Sequence, residues 1–386
     1  MNLDQSASTI FKSKFGKEPL LVIAPGRINL IGEHTDYNEG FVMPAAVDKH
    51  LVFAVAANQT DRFNFFSVNF NASVSFTISD IKAGGEWHHY LMGVIDGIQK
   101  RGHDVGGVDC VFGGDIPGGA GMSSSAALCC GFGFALNQLF HFHLTRLDLA
   151  KIGQYAEHNF AGLMCGIMDQ YASLFGKKDS ALLLDCRSLE HEYLPFHFPD
   201  IEIVLVDTKV KHSLASSAYN DRRACCEEGV AWLQKSNPTI HSLRDVSISD
   251  IDAMRSFVNE EVFIKCGFVV KENARTQQAA TLLSEGDFKG FGKLMFETHW
   301  ALSKEYEVSC VESDLLVEVA SQYPNEVFGA RQMGGGFGGC TINLVWSDAV
   351  ENFSQKVREK YVGTFKKEPD FYSINLCEGV HIYPND

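Results

Sequence analysis

A glycine-rich segment followed by three serines is the part of the sequence best suited to bind phosphate. Residues 113–127 read Gly-Gly-Asp-Ile-Pro-Gly-Gly-Ala-Gly-Met-Ser-Ser-Ser-Ala-Ala, and an apolar run with helical periodicity starts at the serines. Glycine lets the backbone approach a ligand closely, and the start of a helix presents unpaired N–H groups and a positive dipole end. The pattern predicts an anion site, although a glycine turn with a serine N-cap has the same composition. No lysine follows the glycines, so this is not a Walker A loop.

Charged residues are concentrated in a second segment, residues 24–38, around a glycine that follows an apolar run. Arg27, Glu33, His34 and Asp36 lie within ten positions of one another. Carboxylates and an imidazole on a loop suit recognition of a polyol, because each accepts from or donates to hydroxyls in fixed directions. Composition alone is equally typical of a solvated polar loop.

One carboxylate, Asp169, lies in the segment Cys165-Gly166-Ile167-Met168-Asp169-Gln170 after a predicted helix. That helix, at 147–161, contains Glu157 and is predicted to stop at Gly162. We expect Asp169 to lie in a loop, where an aspartate is commonly a helix cap or a surface residue.

A third glycine segment, residues 334–339, formally matches the dinucleotide pattern G-x-G-x-x-G. That fingerprint needs a strand before it and a helix after it. A strand-like run at 340–346 follows instead, so a nicotinamide cofactor is excluded. A tight turn that packs two elements together is one interpretation of this segment, and direct contact with a ligand is the other.

The elements that must position these residues alternate without a regular βαβ repeat, which indicates an α+β fold. A strand is predicted at 20–24, stopped by Pro25-Gly26, and one or two strands at 41–57. The remaining predicted helices are 124–140, 221–235, 273–284, 311–322 and 349–361, and the remaining strands are 181–185, 201–207 and 371–376. A polar stretch at 187–200 is the predicted boundary between domains 1–195 and 196–386, because 386 residues exceed the size of one typical core.

Composition excludes several classes of partner. The chain carries 48 acidic and 33 basic residues, a net charge of −15, which disfavours nucleic acid and anionic membranes. No run reaches the ~20 apolar residues of a membrane span, and residues 1–25 lack a secretory leader. We therefore expect a cytoplasmic protein without nucleic-acid or membrane partners, and a monomer.

All four segments resemble those of one family. Residues 117–127 are similar to the nucleotide motif of the GHMP kinases, and residues 24–38 resemble the signature of the galactokinase branch almost letter for letter. Residues 165–170 resemble its catalytic-aspartate segment and residues 333–341 its third motif. The resemblance covers essentially the whole chain. It implies a two-domain GHMP kinase fold, with an N-terminal mixed-sheet domain like ribosomal protein S5 domain 2 and a C-terminal ferredoxin-like domain, whose last strand near 371–383 returns to the first.

The resemblance also implies a role for individual residues. Those expected to bind ATP are Gly118, Gly119, Gly121, Ser123, Ser124, Ser125 and Trp87. Mg²⁺ is expected to bind Ser125 and Glu157, with Ser124 as the alternative serine. Those expected to bind the sugar are Glu33, His34, Asp36, Gly166, Asp169 and Tyr219. For Trp87 and Tyr219, simple packing is the competing interpretation.

The implied reaction is transfer of the γ-phosphoryl group of ATP to the 1-hydroxyl of α-D-galactose, the first step of galactose use by the Leloir pathway. Asp169 is expected to accept the proton of that hydroxyl, and Arg27 to lie beside the reacting oxygen. Two alternatives stay open: a kinase for N-acetylgalactosamine or arabinose, and a non-catalytic galactose sensor. Such sensors lack residues of the serine–alanine motif, which is intact here at residues 123–127.

Overall fold

The computed structural model describes residues 3–196, 198–210 and 215–384. The helices are α1 (Leu3–Phe15), α2 (Trp87–Gln99), α3 (Ser124–Phe140), α4 (Arg146–Ala156), α5 (Met168–Phe175), α6 (Ala215–Leu233), α7 (Ile248–Met254), α8 (Glu260–Ser284), α9 (Phe288–Ala301), α10 (Val311–Ser321) and α11 (Val350–Phe365). The strands are β1 (Leu20–Asn29), β2 (Phe41–Val42), β3 (Pro44–Ala57), β4 (Arg62–Ser67), β5 (Ala72–Thr77), β6 (Val108–Gly114), β7 (Ser180–Asp185), β8 (His191–Pro195), β9 (Ile201–Asp207), β10 (Val327–Gln332), β11 (Cys340–Trp346), β12 (Asp370–Ile374) and β13 (His381–Ile382).

Six strands form a mixed sheet in the order β13-β1-β3-β6-β4-β5. Strands β4 and β6 are parallel, and the other neighbours are antiparallel. Successive side chains of β3 point to opposite faces, so Phe53 and Val55 join the main core with α2 to α5, whereas Val52 and Ala54 pack against α1. Because both faces are covered, the second half of β3, residues 51–57, is a continuous apolar run instead of an alternating one.

Strand β1 does not stop at Pro25-Gly26, so that part of the strand prediction is wrong. The strand continues to Asn29, and its register with β3 shifts between Pro25 and Arg27. Proline and glycine are tolerated in a strand at such a bulge. A side chain on Gly26 would place its Cβ 2.7 Å from the Met122 carbonyl oxygen, so the bulge lets β1 approach the glycine–serine loop closely. The bulge thereby places Arg27 against that loop.

The second sheet contains four antiparallel strands in the order β12-β9-β11-β10. Helix α10 precedes β10, and α11 connects β11 to β12; both pack on this sheet through Leu316, Val317, Phe353 and Val357. A β-α-β-β-α-β order with this strand arrangement is ferredoxin-like. Together with the mixed sheet it confirms the predicted α+β fold.

Helical periodicity predicted which segments form helices more accurately than it predicted the residues at which the helices begin and end. Helices α3, α10 and α11 occupy the predicted segments within a few residues. Helix α8 begins at Glu260 instead of near residue 273, because the side chain of Asn259 caps it by accepting from the Val262 N–H at 2.8 Å. Gly162, with φ of 72°, ends the α4 segment as predicted.

The C-terminal segment returns to the first sheet, where Ile382 pairs with Val22 of β1. A third, three-stranded sheet has the order β2-β7-β8. Its strand β8 lies within the stretch 187–200 that we predicted as a domain boundary, and His197 in that stretch is outside the described residues. The limits 1–195 and 196–386 therefore stay a prediction.

Candidate active site

A cavity of about 320 Å³ brings together segments that are far apart in the sequence. Its lining residues come from β1 and the loop after it, from the first turn of α5 and the segment before it, from α6 and from the third glycine segment. They are Arg27, Glu33, His34, Asp36, Leu163, Cys165, Met168, Asp169, Tyr219, Gly335 and Gly336. Every residue predicted to contact the sugar lines this cavity except Gly166, which lies beside it.

The polar loop after β1 owes its shape to hydrogen bonds within the loop. The Thr35 hydroxyl donates to the carbonyls of Gly32 at 3.0 Å and Phe41 at 2.7 Å, and the Asn38 amide donates to the carbonyl of His34 at 3.0 Å. Gly32 has φ of 92°, and a Cβ there would lie 2.7 Å from the Phe41 carbonyl oxygen. These contacts turn the loop so that the charged side chains face inward, which contradicts the interpretation as a solvated loop.

Arg27 and Asp169, 142 positions apart, form a bidentate ion pair. The Arg27 Nε donates to Oδ1 of Asp169 at 2.7 Å, and Nη2 donates to Oδ2 at 2.6 Å. Burial opposes the charge of Arg27, but the adjacent Asp169 outweighs it and raises the pKa of the guanidinium. Asp169 lies in the first turn of α5 and not in a loop as predicted. The helix fixes its direction into the cavity.

The glycine–serine loop is joined to this ion pair. The Ser123 hydroxyl donates to Oδ2 of Asp169 at 2.5 Å. Arg27 donates through Nη1 to the Gly121 carbonyl, and its own N–H donates to the Met122 carbonyl at 3.0 Å. Ser123, which was predicted to bind ATP, therefore directs its hydroxyl to Asp169, while its backbone forms the N-cap of the following helix α3.

Glu33 forms a second ion pair, with a residue that sequence reasoning missed. Arg331 Nη2 donates to Oε1 of Glu33 at 2.8 Å, and the Gly334 N–H donates to the same oxygen at 2.8 Å. Both donors belong to β10 and the glycine segment after it. The sequence signal that could have revealed Arg331 is its position in the mostly apolar run 327–333, just before three glycines. A charged side chain in such a run is expected to be buried and therefore to need a partner of opposite charge.

The rings of His34 and Tyr219 line the cavity, and the rings of Tyr37 and Tyr306 pack against them. The ring of His34 lies 5.1 Å from Tyr219 and 4.8 Å from Tyr306, measured between centroids. His34 Nδ1 is 2.8 Å from the Tyr37 hydroxyl, which is 2.7 Å from the Tyr306 hydroxyl. Burial lowers the pKa of His34 to about 3, so the imidazole is neutral at physiological pH. Tyr37 and Tyr306 are further residues that the sequence did not reveal.

Asp36 and Gly166 are in close contact at another edge of the cavity. A Cβ on Gly166 would overlap the Asp36 carboxylate, so only glycine fits there. Burial, and then the charge of Asp169, raises the pKa of Asp36 to about 7. The carboxylate is thus buried close to another negative charge, and its hydrogen bonds come from backbone N–H groups. Such a group gains from hydroxyl donors supplied by a ligand.

A second cavity, of about 460 Å³, lies at the start of α3. Of the residues predicted to bind ATP, it is lined by Trp87, Gly118, Ser124 and Ser125. The rings of Trp87 and Phe70 are parallel within 10°, with centroids 6.4 Å apart. The apolar wall and the helix start therefore belong to one cavity, as a nucleotide site requires.

The other predicted ATP residues shape the loop between the two cavities. Gly119 and Gly121 have φ of 82° and 76°, and Ser123, the N-cap of α3, has φ of 55°. The third glycine segment packs on this loop, since a Cβ on Gly339 would lie 3.5 Å from the Gly119 carbonyl oxygen. This contact agrees with the structural interpretation of that segment.

Glu157 and Ser125 supply the oxygen atoms that were predicted to hold a metal. Glu157 is buried, and its Oε1 accepts from the Gln170 amide at 3.0 Å, while the Ser125 hydroxyl also hydrogen-bonds to it. Burial, and then Asp169, raises the pKa of Glu157 to about 7. A cation beside it would stabilise the ionised form that burial disfavours. A carboxylate and a hydroxyl are the hard ligands that Mg²⁺ takes, usually one or two from protein, so these residues fit the ion.

Three family models match the chain in order. The galactokinase galactose-binding signature matches residues 9–57. The N-terminal domain of GHMP kinases matches residues 89–177, and the C-terminal domain of GHMP kinases matches residues 279–363. The three matches include most of the residues that line the two cavities. The lining residues outside them are Tyr219 in the first cavity and Ser67, Asn69, Phe70 and Trp87 in the second.

Similar proteins extend over the full length. The galactokinase of Clostridium acetobutylicum is 38% identical over 383 residues, which are 98% of this chain and 97% of that protein. The galactokinase of Thermotoga neapolitana is 41% identical over 93% of this chain and 99% of its own. The crystal structure of Lactococcus lactis galactokinase complexed with galactose superposes with a TM-score of 0.93 at 34% identity, covering 97% of this chain and 98% of that one. This chain therefore belongs to the galactokinase family of the GHMP kinases.

Proposed function

We infer that this chain transfers the γ-phosphoryl group of ATP to the 1-hydroxyl of α-D-galactose, giving galactose 1-phosphate and ADP. The observation that carries this inference is the bidentate pair of Arg27 and Asp169 on the wall of a cavity that Glu33, His34 and Asp36 also line. Hydroxyl-binding groups, a carboxylate for the proton and a helix start for phosphates meet in one place. That set of groups is what phosphoryl transfer to a sugar needs.

The cavity residues divide the work of binding and proton transfer. Glu33 and Asp36 accept hydrogen bonds from sugar hydroxyls, and the neutral His34 binds another hydroxyl. Asp169 receives the proton of the 1-hydroxyl as its oxygen attacks phosphorus. Arg27 stabilises the negative charge of Asp169 and of the transferred group, because its guanidinium is fixed between the carboxylate and the glycine–serine loop.

ATP lies with its phosphates at the start of α3 and its base beside Trp87. The unpaired N–H groups at the start of the helix and the glycines at 118, 119 and 121 suit the phosphates. A Mg²⁺ ion would be held by Glu157 and Ser125 and would supply charge neutralisation for the phosphate oxygens. Parallel rings at Trp87 and Phe70 support stacking of the base.

Further features of the protein belong to the same proposal. No helix in the described part of the chain is long and apolar enough to cross a bilayer. We propose that the protein acts as a cytoplasmic monomer, with galactose and ATP as its small-molecule partners and without nucleic acid.

The alternatives are less well supported. A non-catalytic sensor would not need the Arg27–Asp169 pair or the Ser123 hydroxyl on Asp169, and both are present. A kinase for N-acetylgalactosamine or arabinose would share the pair and differ around the 2-hydroxyl. The relatives from Clostridium acetobutylicum and Thermotoga neapolitana, similar over more than nine-tenths of this chain, are named galactokinases.

An ADP-release assay with galactose, glucose, N-acetylgalactosamine, arabinose and mevalonate tests the proposal. We expect galactose to give the highest kcat/KM, with a reaction lacking sugar as the control. A preference for N-acetylgalactosamine or arabinose would replace galactose as the substrate. Galactose binding in calorimetry without any ADP release would favour the sensor.

A further inference from the structure

We infer that Arg331 is a positioning residue for the sugar: it holds one oxygen of Glu33 so that the other is presented to a sugar hydroxyl. The inference rests on the proposed function, since it assigns the galactose cavity its orienting contact. Arg331 does not line the cavity itself, and it belongs to β10 of the ferredoxin-like sheet.

The guanidinium of Arg331 is immobilised on all sides. Its side chain is 0% exposed. Nε donates to the Leu30 carbonyl at 2.8 Å, Nη1 to the Gln332 carbonyl at 2.7 Å, and Nη2 to the Asn29 carbonyl as well as to Glu33. Three backbone carbonyls therefore fix its plane before the carboxylate is considered. A group fixed in this way can define the position of its partner.

The carboxylate of Glu33 is used asymmetrically. Oε1 accepts from both Arg331 and the Gly334 N–H at 2.8 Å, whereas Oε2 has no hydrogen bond within the described residues. The Glu33 side chain is 3% exposed, yet it lines the cavity. A carboxylate oxygen has two acceptor sites, so Oε2 retains its capacity for a ligand. The hydroxyl of a bound sugar is the donor that the cavity would supply.

Lysine could not replace arginine in this arrangement. An ammonium group is a compact charge that lacks the planar fork needed to reach three carbonyls and a carboxylate together. A lysine at position 331 would keep a positive charge beside Glu33 but would no longer fix the orientation of the Glu33 carboxylate. Arg331→Lys thus separates positioning from charge.

The first test compares Arg331→Lys with wild type in steady-state kinetics and thermal unfolding. We expect the KM for galactose to rise about tenfold or more, which is the loss of one charge-assisted hydrogen bond, while the KM for ATP stays the same and kcat changes little. Among monodeoxy galactoses, the one that lacks the hydroxyl bound by Glu33 should have a raised KM in wild type. In Arg331→Lys, its KM should differ much less from the KM for galactose. A wild-type galactose KM together with a lowered Tm would show that Arg331 is merely structural.

Arg275→Lys is the matched control. Arg275 donates to Glu272, a fully buried carboxylate, and neither residue lines the cavity. Glu272 also accepts from the Gly32 N–H at 3.0 Å, so this pair supports the same loop without touching Glu33. The same chemical change there should lower the Tm and raise the KM for galactose less than Arg331→Lys does. If both variants raised this KM equally, general loosening would explain the effect and the inference would fail.

A second variant keeps the inference testable if Arg331→Lys does not fold. Glu33→Asp retains the charge and Arg331, but draws the carboxylate back by one methylene, so it cannot reach its donors and the sugar together. We expect the same rise in the galactose KM at an unchanged KM for ATP. A wild-type galactose KM in Glu33→Asp would overturn the inference.

Failure of this inference can be distinguished from failure of the proposed function. Calorimetry with galactose alone measures the effect of Arg331→Lys on binding without any phosphoryl transfer. If wild type binds galactose and does not release ADP, the catalytic proposal fails, whereas weaker binding by the variant would still support the positioning role. If wild type phosphorylates galactose and the variant binds it normally, only the positioning role fails.

Discussion

Two arginine–carboxylate pairs serve the same cavity and differ in what their carboxylates are free to do. In the pair of Arg27 and Asp169, the carboxylate is 22% exposed and accepts three hydrogen bonds spread over both oxygens, one of them from Ser123. In the pair of Arg331 and Glu33, the carboxylate is 3% exposed and uses a single oxygen.

Under the proposed function, this contrast separates a carboxylate that reacts from a carboxylate that orients the sugar. Arg27 and Asp169 are held by the loop that would bind the nucleotide phosphates. Proton transfer and phosphoryl transfer can therefore take place at adjacent atoms. The buried pair is fixed by backbone carbonyls that no ligand touches. Breaking a buried pair by removing one partner is strongly destabilising, so changes at Arg331 should affect stability and sugar affinity, and changes at Arg27 should affect turnover.

Asp169→Ala should have the largest effect of the variants that test the difference between the two pairs. Without a proton acceptor for the 1-hydroxyl, kcat should fall on the order of a thousandfold, while galactose binding measured by calorimetry largely survives because Glu33, His34 and Asp36 remain. Asp104→Ala, which removes an exposed aspartate outside both cavities, is the control and should retain normal kcat. Turnover near the wild-type level in Asp169→Ala would refute the role of Asp169.

Arg27→Lys should lower kcat by about tenfold to a hundredfold. A lysine keeps the charge beside Asp169 but cannot also hold the Gly121 carbonyl, so the transferred group loses an oriented donor. Measured beside Arg331→Lys, it should give the opposite pattern: a large effect on kcat and a small one on the KM for galactose. Equal effects of the two variants on both constants would mean that the pairs do not differ in role.

Ser123→Ala should have a smaller effect, about a threefold loss of kcat, because it removes one of three hydrogen bonds to Asp169. The N–H groups at the start of α3 remain, so the KM for ATP should change less than it does in Ser124→Ala or Ser125→Ala, whose hydroxyls line the nucleotide cavity. Titration of ATP at saturating galactose measures this difference. If the KM for ATP rose more in Ser123→Ala than in the other two variants, the Ser123 hydroxyl would be assigned to ATP binding.

The smallest effect is expected in the pH dependence of stability. Burial and Asp169 raise the pKa of Asp36 from 3.8 to about 7, so between these values the folded protein holds a proton that the unfolded chain releases. Stability without ligand should therefore fall as pH rises from about 4 to 7. Asp36→Asn should flatten this slope in part, since Glu157, whose pKa is also raised to about 7, titrates in the same direction.

Thermal unfolding of wild type and Asp36→Asn across that pH range measures the change. Asp104→Asn, at the surface, should leave the slope as it is in wild type. An unchanged slope in Asp36→Asn would show that Asp36 is not crowded by Asp169 in solution.

Local features of the structure followed closely from the sequence. Helix α3 begins at the serines as predicted, although the Ser123 side chain donates to Asp169 and does not cap the helix. Gly162 ends its segment because a left-handed residue is needed there. The prediction failed where a tertiary contact overrode a local rule. Pro25-Gly26 normally stops a strand, yet here the Met122 carbonyl accepts the Arg27 N–H and the strand bulges and continues.

The periodicity of the sequence by itself indicated the α+β fold class, because it depends on spacing over a few neighbouring residues. The resemblance of its segments to those of the galactokinases predicted the phosphate loop and the charged residues of the first cavity. The resemblance also placed Arg27 close to Asp169, but only the tertiary structure showed the bidentate geometry of that pair and the pairing of Arg331 with Glu33. Arg27 and Asp169 are 142 positions apart, and Glu33 and Arg331 are 298 apart. Pairs so distant become neighbours through the packing of two sheets and their helices, and periodicity along the chain carries no record of that contact.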